Sequence, residues 1–204
     1  MKSDGKIFCS SVLAGIVITL GASVNLAVDN RYIGAMLLSI GLFCVCMFDW
    51  RLFTADVCDI CENKEILSDL LIIWSGNVLG VALSSIAVIV ANPSISVIAQ
   101  SMWEEKSNVD LVNLFFAAIC CSFLIYIAVN GYKKIQNAFG KCSIIFISVM
   151  VLVLCNFEDS IIDISYFLLA LCPATWRSFW MIFMISIGNV VGGLLFSILN
   201  KIAN

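Results

Sequence analysis

The sequence predicts an all-α membrane protein in which six transmembrane helices form two inverted three-helix repeats, with the second and fifth helices interrupted. Hydrophobic residues make up 62% of the 204 residues, charged residues only 12%, and the mean hydropathy is +1.06. The apolar residues fall into six long runs, and polar residues interrupt two of them. Soluble domains contain about 45–50% apolar and 25% charged residues, so a soluble fold is excluded.

A membrane-spanning helix needs about 20 predominantly apolar residues. The runs that meet this requirement cover residues 7–28, 33–61, 67–91, 111–130, 141–171 and 176–200. Residues 1–204 are therefore expected to form a single transmembrane domain, with a first repeat over about 7–91 and a second over about 111–200. The first run is longer than the core of a signal peptide and has no small-residue cleavage site, so it is predicted to remain as a helix.

Charged residues interrupt the second and fifth runs at positions that a membrane would bury. The interrupting polar residues are Asp49, Arg51 and Thr54 in the second run, and Asn156, Glu158, Asp159 and Ser160 in the fifth. Each charge at such a depth costs at least about 2.5 kcal/mol. These residues are therefore expected either to have a function or to have specific structural partners.

The distribution of Lys and Arg predicts cytoplasmic N- and C-termini. In that orientation Arg31, Lys106 and Arg177 lie outside, and the residues that lie inside are Lys2, Lys6, Lys64, Lys133, Lys134, Lys141 and Lys201. Positive charge is enriched on the cytoplasmic side of membrane proteins. Residues 93–109 then form an external connection at the membrane interface, and a solvated loop lysine is one interpretation of Lys106.

The net charge of −3 and the absence of a basic stripe exclude nucleic-acid binding, which requires clustered Lys and Arg. Ten cysteines are scattered through the apolar runs, and the chain has no histidine. Cys58 and Cys61 form a CxxC motif, which leaves a redox or metal-handling role as the weakest functional hypothesis. No cofactor or metal is predicted.

Each half of the sequence carries a Gly-Asn motif after its interrupted run, at Gly76-Asn77 and at Gly188-Asn189. Small residues let membrane helices approach closely, and asparagine can bond across the contact. Inverted repeats with interrupted helices in corresponding positions indicate a substrate site near the membrane midplane.

These motifs together resemble those of the formate/nitrite transporter family. The matching segments, in order, are Ala14-Gly15, Leu52-Phe53-Thr54, Gly76-Asn77 to Gly80, Cys121-Ser122, Phe157-Glu158-Asp159-Ser160 and Gly188-Asn189 to Gly193. The resemblance implies an aquaporin-like protomer in a homopentamer within the lipid bilayer, in a prokaryotic inner (plasma) membrane. It implies a channel or transporter, and not an enzyme, for small monovalent anions such as formate, nitrite or hydrosulfide, often moved with a proton.

The resemblance also implies the residues along the substrate pathway. Lys106 matches the lysine that draws anions into the outer vestibule, and Thr54 matches the threonine of the first break. The apolar constrictions match Leu38, Leu42 and Phe53 on one side of a central chamber, and Ile125 and Leu152 on the other. The chain departs from the family pattern at three pathway positions: Asp159 replaces the central histidine, Asp163 replaces an asparagine, and Ser122 replaces another. Ser160 completes the pathway set.

The second break allows two mechanisms. The start of a half-helix favours an anion, but Asp159 and Ser160 are good N-cap residues that could occupy the same amides. Asp159 and Asp163 are four residues apart, so they share a helix face, where burial and like charge favour protonation of at least one. A neutral Asp159 would let an anion cross as its uncharged acid. An ionised Asp159 would instead favour a neutral solute or a cation, which is the alternative function.

A purely structural role is also open for these acids. Glu158, Asp159 and Asp163 could pair with Arg51 or cap the half-helix without touching a substrate.

Overall fold

A computed structural model describes residues 4–203, so Lys2 lies outside the described residues. The helices are α1 (Asp4–Ala27), α2 (Arg31–Leu38), α3 (Ile40–Phe48), α4 (Phe53–Asp59), α5 (Ile66–Ala91), α6 (Ser94–Ser107), α7 (Leu111–Lys134), α8 (Ala138–Leu154), α9 (Ser160–Leu169) and α10 (Trp176–Ala203). No strand occurs within residues 4–203. The predicted all-α fold is confirmed.

Five helical segments have the length and apolar composition to cross a membrane: α1, the α2–α3 segment Arg31–Phe48, α5, α7 and α10. Only Ser39 separates α2 from α3, and the segment Arg31–Phe48, which includes Ser39, supplies 18 residues of the second span. The shorter apolar helices α8 and α9 follow one another along the fifth predicted run. The chain is an integral membrane protein, and the count of six crossings stays a prediction.

Helices α3 and α8 end with the same backbone turn. Asp49 and Asn156 follow their last turns with left-handed φ values of 54° and 53°. Asp and Asn tolerate this conformation better than other residues that carry a Cβ atom. The next amide then bonds back to the helix, from Trp50 N to Val45 O at 3.0 Å and from Phe157 N to Leu152 O at 2.9 Å. This closure is the Schellman type of helix ending, which satisfies carbonyls that would otherwise be unpaired.

Asn77 on α5 holds the segment that connects α3 to α4. Its Oδ1 accepts a hydrogen bond from Phe53 N at 2.8 Å. Its Nδ2 donates to Ser11 O at 2.8 Å and to Arg51 O at 2.9 Å. Unpaired backbone groups are costly where water is absent, so a single buried amide satisfies the start of α4.

Asn189 on α10 does the same for the segment that connects α8 to α9. Its Oδ1 accepts from Ser160 N at 2.9 Å. Its Nδ2 donates to Ala118 O at 3.0 Å and to Glu158 O at 2.9 Å. Both short helices therefore begin inside the bundle, and each is fixed by an asparagine of the following long helix.

Glycines bring the long helices into close contact in two pairs, α1 with α5 and α7 with α10. A Cβ atom added at Gly80 would lie 2.1 Å from Val12 O, and one added at Gly188 would lie 2.5 Å from Phe115 O. Real Cβ atoms do not approach backbone so closely. The two Gly-Asn motifs therefore combine close helix packing with support of the short helices.

The segment after α5 differs from the predicted loop. Residues 94–107 form helix α6, which buries Ile95, Ala99 and Trp103 at a spacing of four residues. This spacing places the three side chains on one helix face. The interpretation of Lys106 as a solvated loop lysine is wrong, because Lys106 lies in the last turn of α6, whose packing turns it towards α9.

Candidate substrate pathway

A cavity of about 510 Å³ opens at the end of the bundle where α1 ends and α7 begins; we call it the Lys106 pocket. Lys106 Nζ lies in this pocket, 2.6 Å from Glu158 Oε2, and it also donates to Asp163 Oδ1. The Asp163 side chain is only 1% exposed and that of Glu158 11%. One lysine thus joins α6 to two acids on either side of the start of α9.

The charge on Lys106 is stabilised by this arrangement. Burial lowers the pKa of Lys106, but the carboxylates of Asp163 and Glu158 outweigh burial, so the pKa lies above its usual value. Lys106 is therefore protonated throughout the physiological pH range. With both acids ionised, the three side chains carry a net charge of about −1, so the lysine does not act as an isolated positive charge.

Tyr166 and Asn25 complete one wall of the Lys106 pocket. The Lys106 ammonium lies 5.8 Å from the centre of the Tyr166 ring, within range of a cation–π contact. Asn25 Nδ2 donates to the Tyr166 hydroxyl at 2.9 Å and fixes the ring. Neither residue was predicted, although Tyr166 follows Asp159 and Asp163 at helical spacing on the same face of α9.

Asp159 is the N-cap of α9. Its Oδ1 accepts from Ile161 N at 2.9 Å and from Ile162 N at 3.2 Å, and the residue is 3% exposed. The capping carboxylate therefore occupies the amides that a permeating anion could have used. The hydroxyl of Thr54 from α4 lies next to this carboxylate.

A second cavity, of about 250 Å³, lies at the other end of the bundle; we call it the Arg51 pocket. Arg51 Nε lies 2.9 Å from Asp56 Oδ1, and Lys133 pairs with Asp59 on the same pocket wall. The proposed pairing of Arg51 with Glu158, Asp159 or Asp163 is therefore wrong. Helix α7 has 24 residues and is about 36 Å long. Val109, just before α7, lines one pocket and Lys133 the other, so the pockets lie at opposite ends of that helix.

The sequence of the chain matches a known protein family. The sequence model described as formate/nitrite transporter matches residues 2–202. The chain belongs to the formate/nitrite transporter family. Members of this family are channels and transporters, so the protein is a membrane transport protein and not an enzyme.

Solved structures of similar fold agree with this assignment. A protein described as a pentameric formate channel with formate bound has a TM-score of 0.81 and 20% sequence identity, covering 96% of this chain and 94% of that one. A protein described as an FNT family ion channel has a TM-score of 0.88 and 18% identity, covering 98% of this chain and 90% of that one. No curated protein matches the chain in sequence.

Within the formate/nitrite transporter fold, the remaining predicted pathway residues have mixed environments. Ser160 is fully buried, and its Oγ has no hydrogen-bond partner among residues 4–203. The Ser122 hydroxyl instead donates to Asn189 O at 2.9 Å, in the contact between α7 and α10. Neither serine lines the two cavities described above. Their places on the pathway stay predictions.

The five predicted constriction residues are all buried: Leu38, Leu42, Phe53, Ile125 and Leu152. Leu152 lines the Lys106 pocket, whereas the other four line neither pocket. Their role as gates stays a prediction.

The cysteines of the CxxC motif are free thiols in different environments. Cys58 is buried, and its Sγ donates to Thr54 O at 3.4 Å, whereas Cys61 is half-buried. Within the part of the chain that the structure describes, no three His, Cys, Asp or Glu side chains are arranged to hold a metal ion.

Proposed function

We propose that the protein passes small monovalent anions, such as formate, nitrite or hydrosulfide, through a pore in each protomer and together with a proton. The observation that carries the proposal is Lys106, a charged lysine inside a cavity of a formate/nitrite transporter. The related fold described as a pentameric formate channel with formate bound supports both the substrate class and a homopentamer.

The proton follows from the charges around Lys106. An approaching anion meets one ammonium and two carboxylates, so its net attraction to the cluster is small. A proton that neutralises one carboxylate, or the anion itself, removes the repulsion. The anion and the proton then cross the apolar core together as the uncharged acid, which avoids most of the cost of burying a charge.

The pathway in this proposal runs through both short helices. It includes Thr54, Ser122, Asp159, Ser160 and Asp163, with the five buried apolar residues as constrictions. Residues 1–204 form one membrane domain of two repeats, and the matching asparagine contacts at the two breaks support that division. The Lys106 pocket faces outwards if both termini are cytoplasmic.

Flux measurements in proteoliposomes test the proposal. The wild-type protein is expected to take up formate, nitrite or hydrosulfide faster at acidic than at neutral pH. Lys106→Gln should change the rate and its pH dependence, whereas Lys201→Gln, an exposed residue at the end of α10, should not. Wild-type vesicles that move none of these substrates at either pH would refute the proposal.

A passage for a neutral solute or a cation is the second candidate. The charged groups lining the Lys106 pocket favour it, because two cations face five acids: Arg31 and Lys106 against Asp29, Glu105, Glu158, Asp159 and Asp163. This acidic lining disfavours free anions and attracts cations. Flux of an uncharged solute or a monovalent cation that is the same in wild type and Lys106→Gln would establish this candidate instead.

A further inference from the structure

We propose that the Arg51 pocket is a second anion-binding site, in which the free edge of the Arg51 guanidinium holds a small planar oxyanion such as formate or nitrite. The ligand class rests on the proposed function, whereas the site itself rests on the geometry of the pocket. The Lys106 pocket does not include any of its residues.

The Arg51–Asp56 pair leaves hydrogen-bonding capacity unused on both sides. Arg51 Nε contacts Asp56 Oδ1 at 2.9 Å, but Arg51 Nη2 and Asp56 Oδ2 are buried without a hydrogen-bond partner in the described range 4–203. A guanidinium that binds a carboxylate in full uses two parallel N–H groups. The guanidinium of Arg51 is therefore only partly used by Asp56. Because Nη2 is buried, an anion reaches it by displacing the Asp56 carboxylate, which competes for the same guanidinium.

The charges of the Arg51 pocket suit an anion better than those of the Lys106 pocket. Three cations and three acids line it: Arg51, Lys133, Lys141, Asp49, Asp56 and Asp59. The formal sum is zero, compared with two cations and five acids in the Lys106 pocket. An anion at Nη2 therefore meets less repulsion than it meets beside Lys106.

Arginine is suited to this ligand. Its planar guanidinium matches the two oxygens of a carboxylate or a nitrite, and its hydration is weaker than that of an ammonium. Besides Lys133, Lys141 adds a further cation to the lining of this pocket, where its ammonium lies 4.9 Å from the centre of the Tyr132 ring.

The position of Arg51 also places the site next to the pathway. Arg51 O accepts a hydrogen bond from Asn77 Nδ2 just before the start of α4. In the same way, Glu158 O accepts from Asn189 Nδ2 just before the start of α9. Arg51 thus takes at the first break the place that Glu158 takes at the second. Each pocket therefore contains a charged residue that immediately precedes the N-cap of a short buried helix.

Binding of ¹³C-formate to the purified full-length protein tests the site, read as broadening of the formate NMR signal during a titration. Arg51→Gln should weaken binding at the second site about tenfold, the loss expected for a charge-assisted hydrogen bond. Arg51→Lys keeps the positive charge without the planar guanidinium, so its affinity for formate should lie between those of the wild type and Arg51→Gln. Asp56→Asn removes the competing carboxylate and should tighten binding, a gain that misfolding cannot imitate.

Lys201→Gln is the matched control and should bind formate as the wild type does. Arg51→Gln and Asp56→Asn titrations that both coincide with this control would overturn the site. Parallel flux measurements separate this result from failure of the proposed function. Formate binding that depends on Arg51, in a protein that shows no formate flux, supports the site and refutes the proposed function. Formate flux through a protein whose formate binding is unchanged by the Arg51 and Asp56 substitutions supports the proposed function and refutes the site.

Discussion

Asp56 and Asp163 occupy the same position in the two short helices, four residues after the N-caps Leu52 and Asp159. Each of these aspartates is buried and paired with a basic residue, Asp56 with Arg51 and Asp163 with Lys106. Burial of a carboxylate is tolerated only where a partner satisfies it. A buried acid–base pair therefore lies on the wall of each pocket.

Lys106→Gln should destabilise the protein by about 3–5 kcal/mol, because Glu158 and Asp163 then lose their shared cation while they remain buried. The double variant Lys106→Gln with Asp163→Asn should recover part of this loss, because it removes one of the two facing negative charges. Denaturant unfolding in detergent measures both. If the loss of stability in the double variant equals the sum of the losses in the two single variants, Lys106 and Asp163 do not interact.

Asn77→Ala and Asn189→Ala should each lower the free energy of unfolding by about 2–5 kcal/mol, because each substitution removes three hydrogen bonds to the backbone and leaves two backbone groups unpaired at a break. Asn113→Ala, on the exposed face of α7, is the matched control and should change stability little. Thermal unfolding of the three variants gives the comparison. Similar midpoints for all three would show that the asparagines do not support the short helices.

Gly80→Ala should destabilise the protein by about 1–3 kcal/mol, because its Cβ would lie 2.1 Å from Val12 O and force α1 and α5 apart. Gly5→Ala makes the same chemical change in α1 where nothing lies within 4 Å. The control should be neutral or slightly stabilising, since alanine favours helix. Equal stability of the two variants, measured by denaturant unfolding, would argue against close packing at Gly80.

Asp159→Asn should retain the fold and change transport. Asparagine caps helices about as well as aspartate, so its Oδ1 can still accept from Ile161 N and Ile162 N. The negative charge is lost, and formate uptake should therefore rise at neutral pH, where the wild type is expected to be slow. Uptake and thermal stability are measured on the same preparation. A stable Asp159→Asn protein with the wild-type pH profile would exclude a role for this charge in transport.

The sequence allowed prediction of the features that the bilayer imposes on a chain. Apolar runs have to reach about 20 residues, and charges within them need a reason, so the runs and their polar interruptions were visible. The contacts of Asn77 and Asn189 across helices followed from small residues beside a buried amide. The left-handed residues Asp49 and Asn156 were not predicted, although Asp and Asn are the residue types that favour that turn.

The ion pairs could not be predicted, because tertiary packing selects among several acids. Lys106 meets Glu158 only because α6 is a helix that packs on α9, and these residues are 52 positions apart. Arg51 had acids available at both breaks and pairs with Asp56, five residues ahead in the first break. Charge type predicted that partners exist, whereas backbone geometry decided which partners are used.

The ratio of protons to formate crossing the membrane tests the central claim most directly. Proteoliposomes that contain the wild-type protein receive a formate gradient, and formate uptake and internal pH are recorded together, with protein-free vesicles as the control. The account predicts protein-dependent uptake that accelerates as pH falls and carries about one proton per formate, as the uncharged acid requires. Formate uptake no faster than in protein-free vesicles, or uptake without protons, would contradict it.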